Sequence, residues 1–146
     1  EFLESIHNIL LPAHIIGVIA TLSIVVSADF YGFLWIIGKK ETLSHTILHK
    51  LHIGVWIGLC FTALAGFGMF LPYYDYLLTD SGFRIKMIFI LFLLINAFVI
   101  RHHIYIPTQQ SFKMLSMKER MPLLISGAVS VTGWIGALIA AQFIGL

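Results

Sequence analysis

Four apolar runs, at residues 9–37, 47–71, 84–106 and 122–143, leave this chain little choice of fold. A helix needs about 20 consecutive apolar residues to cross the hydrocarbon layer of a bilayer, and each run meets that length. Together they take up most of the 146 residues, and only 11% of the chain is charged, so no soluble domain fits beside them. A barrel is excluded by pattern, because its strands span with about ten residues and alternate in polarity. The expectation is an all-α, integral membrane four-helix bundle that forms a single domain over residues 1–146. Pro12 and Pro122 are expected in first helical turns, and Pro72 and Pro107 just after last turns, where a missing backbone donor costs least.

Lys and Arg in short loops set the orientation, since cytoplasmic loops carry the excess. Lys39, Lys40 and Lys50 flank the first loop, and Arg101, Lys113, Lys118 and Arg120 flank the third. The second loop has Arg84 and Lys86 beside Asp75 and Asp80, and the amino end has Glu1 and Glu4. Both termini are therefore expected on the outer side of a membrane, taken to be a bacterial inner membrane. The first run is too long to be the apolar part of a cleaved leader. A lone cysteine, Cys60, falls in mid-span, so no disulfide framework is expected, and its simplest role is a small core residue. The net charge of +2 sits on the inner loops, as topology alone requires, and nothing points to nucleic acid.

Because the runs alternate in direction, distance from a loop gives depth, and the polar residues then sort into two layers. His14 and Lys86 share the outer one. Asp29, His49, His52, Asn96 and His103 share the inner one. His45, His49 and His52 follow an i, i+4, i+7 spacing that places them on one helical face. His45 precedes the apolar run and reads as interfacial. His52 enters the span beside Trp56 and reads as a metal ligand or a proton-active group. Asn96 and His103 also share a face, whereas His102 points elsewhere. An ionised carboxylate in hydrocarbon is costly unless paired. Asp29 is accordingly either a proton carrier, an acceptor that orients a ligating imidazole, or the partner of His49 or His52 in a structural bond.

Other features read first as helix contacts. Gly54 with Gly58, Ala65 with Gly66 and Gly68, Gly133 with Ala137 and Gly136 with Ala140 are small-residue faces that allow close helix approach. The same faces have room for a flat macrocycle or for another subunit. Tyr73, Tyr74 and Tyr76 suggest an outer aromatic belt and Trp35 an inner one. Met114, Met117 and Met121 offer soft thioethers for copper, or the apolar stripe of an interfacial helix. Lys86, two residues past Arg84, is also placed to snorkel.

Three segments carry a resemblance: Ala13-His14-Ile15-Ile16-Gly17-Val18, Ile85-Lys86-Met87, and Lys118-Glu119-Arg120-Met121-Pro122-Leu123-Leu124. With them the chain resembles, over most of its length, the four-helix HemJ-type protoporphyrinogen oxidases and the related CopD-type copper-resistance membrane domains. The resemblance implies a haem b site that uses His14 and Lys86. The chain departs from that pattern at Gly82-Phe83-Arg84, where the family usually has a Trp and a His before the Lys. It also lacks the family's basic first-span motif, and has Asn96 and Ala97 where a His is usual.

The resulting expectation is a b-type haem-binding, redox-associated membrane protein, an electron-transfer subunit or oxidoreductase serving a membrane redox partner or quinone. Two ligand sets compete: His14 with Lys86, from the resemblance, and His52 or His49 with His103, from spacing. Asp29 would fix a ligand's tautomer or move a proton. The alternatives are a cofactor-free accessory subunit, associating with itself or another chain through its glycine faces, and a small copper- or proton-handling protein.

Overall fold

The computed structural model describes residues 2–144. Its elements are α1 (Phe2–Ile36), α2 (His45–Phe70), a 3-10 turn (Leu71–Tyr73), α3 (Tyr74–Thr79), α4 (Ser81–His103), α5 (Ile106–Gln109), a second 3-10 turn (Phe112–Met114) and α6 (Met117–Ala141). Four segments, Ile6–Ile36, His45–Thr79, Ser81–Gln109 and Met117–Ala141, each built on one long helix, are long and apolar enough to cross a membrane. No strand occurs among the described residues. The outward faces are apolar, with Ile16, Ile19, Ile57 and Leu64 exposed. Such a surface suits lipid and would be a large sticky patch in water.

Local chemistry sets the helix ends. Asp80 caps α4 by accepting the Phe83 N–H at 2.7 Å. Ser116 and Glu119 form a capping box on α6, with the Ser116 N–H donating to Glu119 Oε2 at 2.8 Å. At the end of α1 the chain closes in a Schellman turn: Gly38 N–H bonds to the Trp35 carbonyl, Lys39 N–H bonds to that of Leu34, and Gly38 has φ +76°. α1 and α6 both start earlier than their apolar runs do. Pro12 and Pro122 consequently lie inside helices rather than in first turns. For Pro12 the missing donor leaves the Asn8 carbonyl without its usual intrahelical partner.

The four helices form two hairpins. α1 lies against α2 so closely that a Cβ at Gly58 would strike Thr21, and one at Gly54 would stand 3.2 Å from Ile24. α6 lies equally close to α4: a Cβ at Gly133 would stand 2.8 Å from Leu93, and one at Gly136 would strike the Phe89 ring. The glycine faces are thus used inside the chain.

Contact between the hairpins is thinner. α2 meets α4 through ring pairs, Phe70 with Phe83 at 5.6 Å and Trp56 with Phe98 at 4.8 Å between centroids. Where the 37–44 and 104–116 connections lie, hereafter the loop end, Trp35, Leu43, Leu115 and Leu123 form a buried cluster. The indole of Trp35 donates to the Gln110 carbonyl at 3.0 Å. Trp35 is only 2% exposed, so it anchors the core instead of lining an interfacial belt. A second cluster of Val25, Leu93 and Trp134 lies deeper in the bundle. Cys60 is exposed on the outer face of α2 and is not a core residue, because the side of α2 that meets α1 is taken by the glycines.

Candidate functional site

Thin contact between two tight hairpins leaves a cavity of about 420 Å³, toward the loop end, lined by all four long helices. That volume is in the range of small-molecule sites. Most of its wall is apolar, with Trp35 and Trp134 among the lining residues. Its polar groups are few: Asp29 from α1, His52 from α2, Asn96 from α4, and Ser126 and Ser130 from α6.

Four of these five side chains, all but that of Ser126, are held by hydrogen bonds. Ser130 Oγ donates to Asp29 Oδ2 at 2.8 Å, joining α1 to α6. Asn96 Nδ2 donates to the Ser126 carbonyl at 3.1 Å, joining α4 to α6. The Trp56 indole donates to His52 Nε2 at 3.1 Å. An indole N–H can only donate, so this bond fixes His52 as the Nδ1–H tautomer and occupies Nε2. Arg101 and His49 lie within electrostatic reach of the same ring.

Of the inner residues singled out by spacing, Asp29, His52 and Asn96 are brought together around the cavity, while His49 and His103 are not. His49 is exposed and its ring stacks at 5.9 Å on His45, which stacks at 5.2 Å on Tyr105. His103 turns back on its own helix, with Nδ1 donating to the Val99 carbonyl at 3.0 Å, and His102 does the same to Phe98 at 3.0 Å. Asp29 is bonded to Ser130, not to His49 or His52. Among the described residues no group of three or more His, Cys, Asp or Glu side chains is arranged to hold a metal ion.

The outer pair lies in one region of the bundle. His14 Nδ1 donates to the Thr62 carbonyl at 2.9 Å, and Lys86 lies within electrostatic reach of the ring. A Cβ at Gly66 would stand 3.1 Å from His14 Cε1, so the ring is seated where α2 has no side chain. With Nδ1 tied to a carbonyl, Nε2 is the nitrogen left to ligate, the usual arrangement of an iron-bound imidazole. The donor chemistry of His14 therefore suits an iron ligand, whereas that of His52, with Nε2 engaged, does not; neither His14 nor Lys86 lines the cavity.

Met114, Met117 and Met121 do not share one helical stripe. The chain breaks at Leu115–Ser116, placing Met114 on the 3-10 turn and the others on α6. Sequence reasoning missed Ser126 and Ser130, and also Gly32 and Gly127 of the cavity wall. Ser126, Ser130 and Trp134 recur every four residues along one face of α6, and that periodicity was the available signal. No family model, curated protein or solved structure matches the chain.

Proposed function

We propose that the protein is a redox-associated membrane protein whose cavity binds a lipophilic carrier of the quinone class, with both termini outside and the loop end facing the cytoplasm of a bacterial cell. The observation that supports this most is the composition of the cavity wall. The hydrogen-bonding groups Asn96, His52 and Ser126 and a single carboxyl, Asp29, stand in an otherwise apolar space lined by two indoles. A flat head with carbonyl acceptors suits these donors and rings, and an apolar tail suits the remaining wall. Asp29 is the only carboxyl of the lining, so proton exchange with a bound head would pass through it.

Trp35 and Trp134 provide the assay, because a bound quinone quenches indole fluorescence. Titrating purified protein with a decyl-tailed benzoquinone should give saturable quenching that Asn96→Leu weakens. Quenching that rises linearly without saturation would refute the reading.

The geometry of His14 favours a second reading, haem b held in the outer layer with His14 as a ligand and Lys86 beside it, as the HemJ-type resemblance implies. A bound haem would supply one-electron chemistry. His14 would hold the iron, and the Thr62 carbonyl would fix the ring that does so. A dithionite-reduced minus oxidised spectrum of protein expressed with adequate haem tests this reading directly. A Soret band lost in His14→Ala and kept in His52→Ala supports it, and the absence of any such band rejects it.

A further inference from the structure

We propose that the ligand reaches the cavity sideways, out of the hydrocarbon layer, through a window between α1 and α6 framed by Gly32 and Gly127. The inference rests on the reading that the cavity binds a lipophilic ligand, and adds the route by which that ligand arrives.

Exposure locates the window. The cavity-lining residues that are exposed are Phe33, on α1, and Leu124, Ala128 and Val131, on α6. Lining residues contributed by α2 and α4 are all buried or half-buried, and the Trp56–Phe98 ring pair joins those two helices. The cavity is thus walled on the α2–α4 side and open on the α1–α6 side.

Register gives the window its frame. α1 and α6 run antiparallel, and the Asp29–Ser130 hydrogen bond pins them at one level. One turn toward the loop end, three residues further along α1 and three residues back along α6, Gly32 and Gly127 stand at matching depth. Elsewhere on α1, α2, α4 and α6 a Cβ added to a glycine would meet a neighbour, but at these two positions it meets nothing within 4 Å. A further turn on, Trp35 and Leu123 of the buried cluster close the gap. Between the two closures lie about six residues of helix, roughly 9 Å of opening at the rise of an α-helix.

Gly32 lies four residues before the end of its span and Gly127 ten residues after the start of its own, so the window opens within the apolar stretch of both helices and not beyond their ends. That suits a solute already dissolved in the bilayer. A ligand passing through it would lead with its head toward Asp29, Asn96 and His52, and leave its tail beside Phe33 and Val131. The polar groups that seat the head therefore lie directly behind the sill.

Rim and wall variants separate the window from the cavity. Proteoliposomes are mixed with the decyl-tailed benzoquinone in a stopped-flow instrument, and tryptophan quenching gives both association and dissociation rates. Ala128→Phe narrows the rim at an exposed position. It should slow both rates by about one decade, the low end of the range for variants of one site, where a lesion of the binding wall alone would speed dissociation. Phe33→Ala widens the rim and should slow neither. Ala97→Leu fills the wall on α4, away from the window, and should raise Kd. If Ala128→Phe keeps native rates while Ala97→Leu weakens binding, the ligand has another route and the window is wrong. If the native protein shows no saturable quenching, the cavity reading fails and the window falls with it.

Discussion

Replacing Gly58 and Gly127 with alanine, one at a time, makes the same chemical change in two environments and should give opposite results. At Gly58 the new methyl would strike the Thr21 hydroxyl and stand 3.0 Å from its Cβ and 3.1 Å from its Cγ2. Thr21 cannot step aside easily: it is 0% exposed, and its hydroxyl donates to the Gly17 carbonyl at 2.7 Å. Forcing a methyl into a filled contact costs about 1–3 kcal/mol, and disturbing the hydrogen bond adds about 1 kcal/mol. Alanine returns about 0.8–1 kcal/mol through its better helix propensity. The net effect of Gly58→Ala is a loss of about 1–3 kcal/mol. At Gly127 nothing lies within 4 Å, so only the propensity gain of about 0.5–1 kcal/mol remains. The two variants should therefore differ by roughly 2–4 kcal/mol in unfolding by sodium dodecyl sulfate from mixed micelles. Equal shifts, or a stabilised Gly58→Ala, would refute the close approach of α1 to α2.

Three further outcomes follow from named contacts. Asp29→Ala and Ser130→Ala, combined in a double-mutant cycle, should show a coupling of about 0.6 kcal/mol, and no more than about 1.7 kcal/mol, between α1 and α6; zero coupling would mean that the bond does not join the hairpins. Nitrogen NMR of labelled His52 should show the Nδ1–H tautomer in the native chain and a mixture in Trp56→Phe, and a native Nε2–H form would contradict the indole bond. Gly133→Ala should destabilise by about 1–3 kcal/mol because its methyl meets Leu93, and adding Leu93→Ala should recover part of that loss where two separate lesions would simply add.

Much of this architecture was legible in the sequence, because membrane helices announce themselves by length. The four spans, the glycine faces and the convergence of Asp29, His52 and Asn96 all follow from run length and helical phase. Partner choice does not. Phase says which way a side chain leaves its helix but not which helix stands opposite, so spacing offers His49 or His52 as a bonding partner for Asp29 when the partner is Ser130. Nor did composition mark Ser130 as special. Ser23, Ser27 and Thr132 each bond their own helix four residues back, while Ser130 reaches across to another helix. His103 misled for the related reason that a helix-terminal imidazole can satisfy itself on the carbonyl four residues earlier. Trp35 looked interfacial by its distance from the loop, and is buried because the 104–116 connection folds back over it.

The two-hairpin architecture also bears on how the molecule comes to exist. α1 and α2 are adjacent in the chain and fit each other glycine to side chain, as α4 and α6 do. During synthesis the first pair has everything it needs to close before the second has left the ribosome. The second pair then meets a finished partner, with only ring pairs and a few hydrogen bonds left to form. The architecture therefore predicts that the cavity is the last part of the protein to take shape, by apposition of two completed pieces. Two separately translated halves, divided near α3, should for the same reason find each other in one membrane and restore the site.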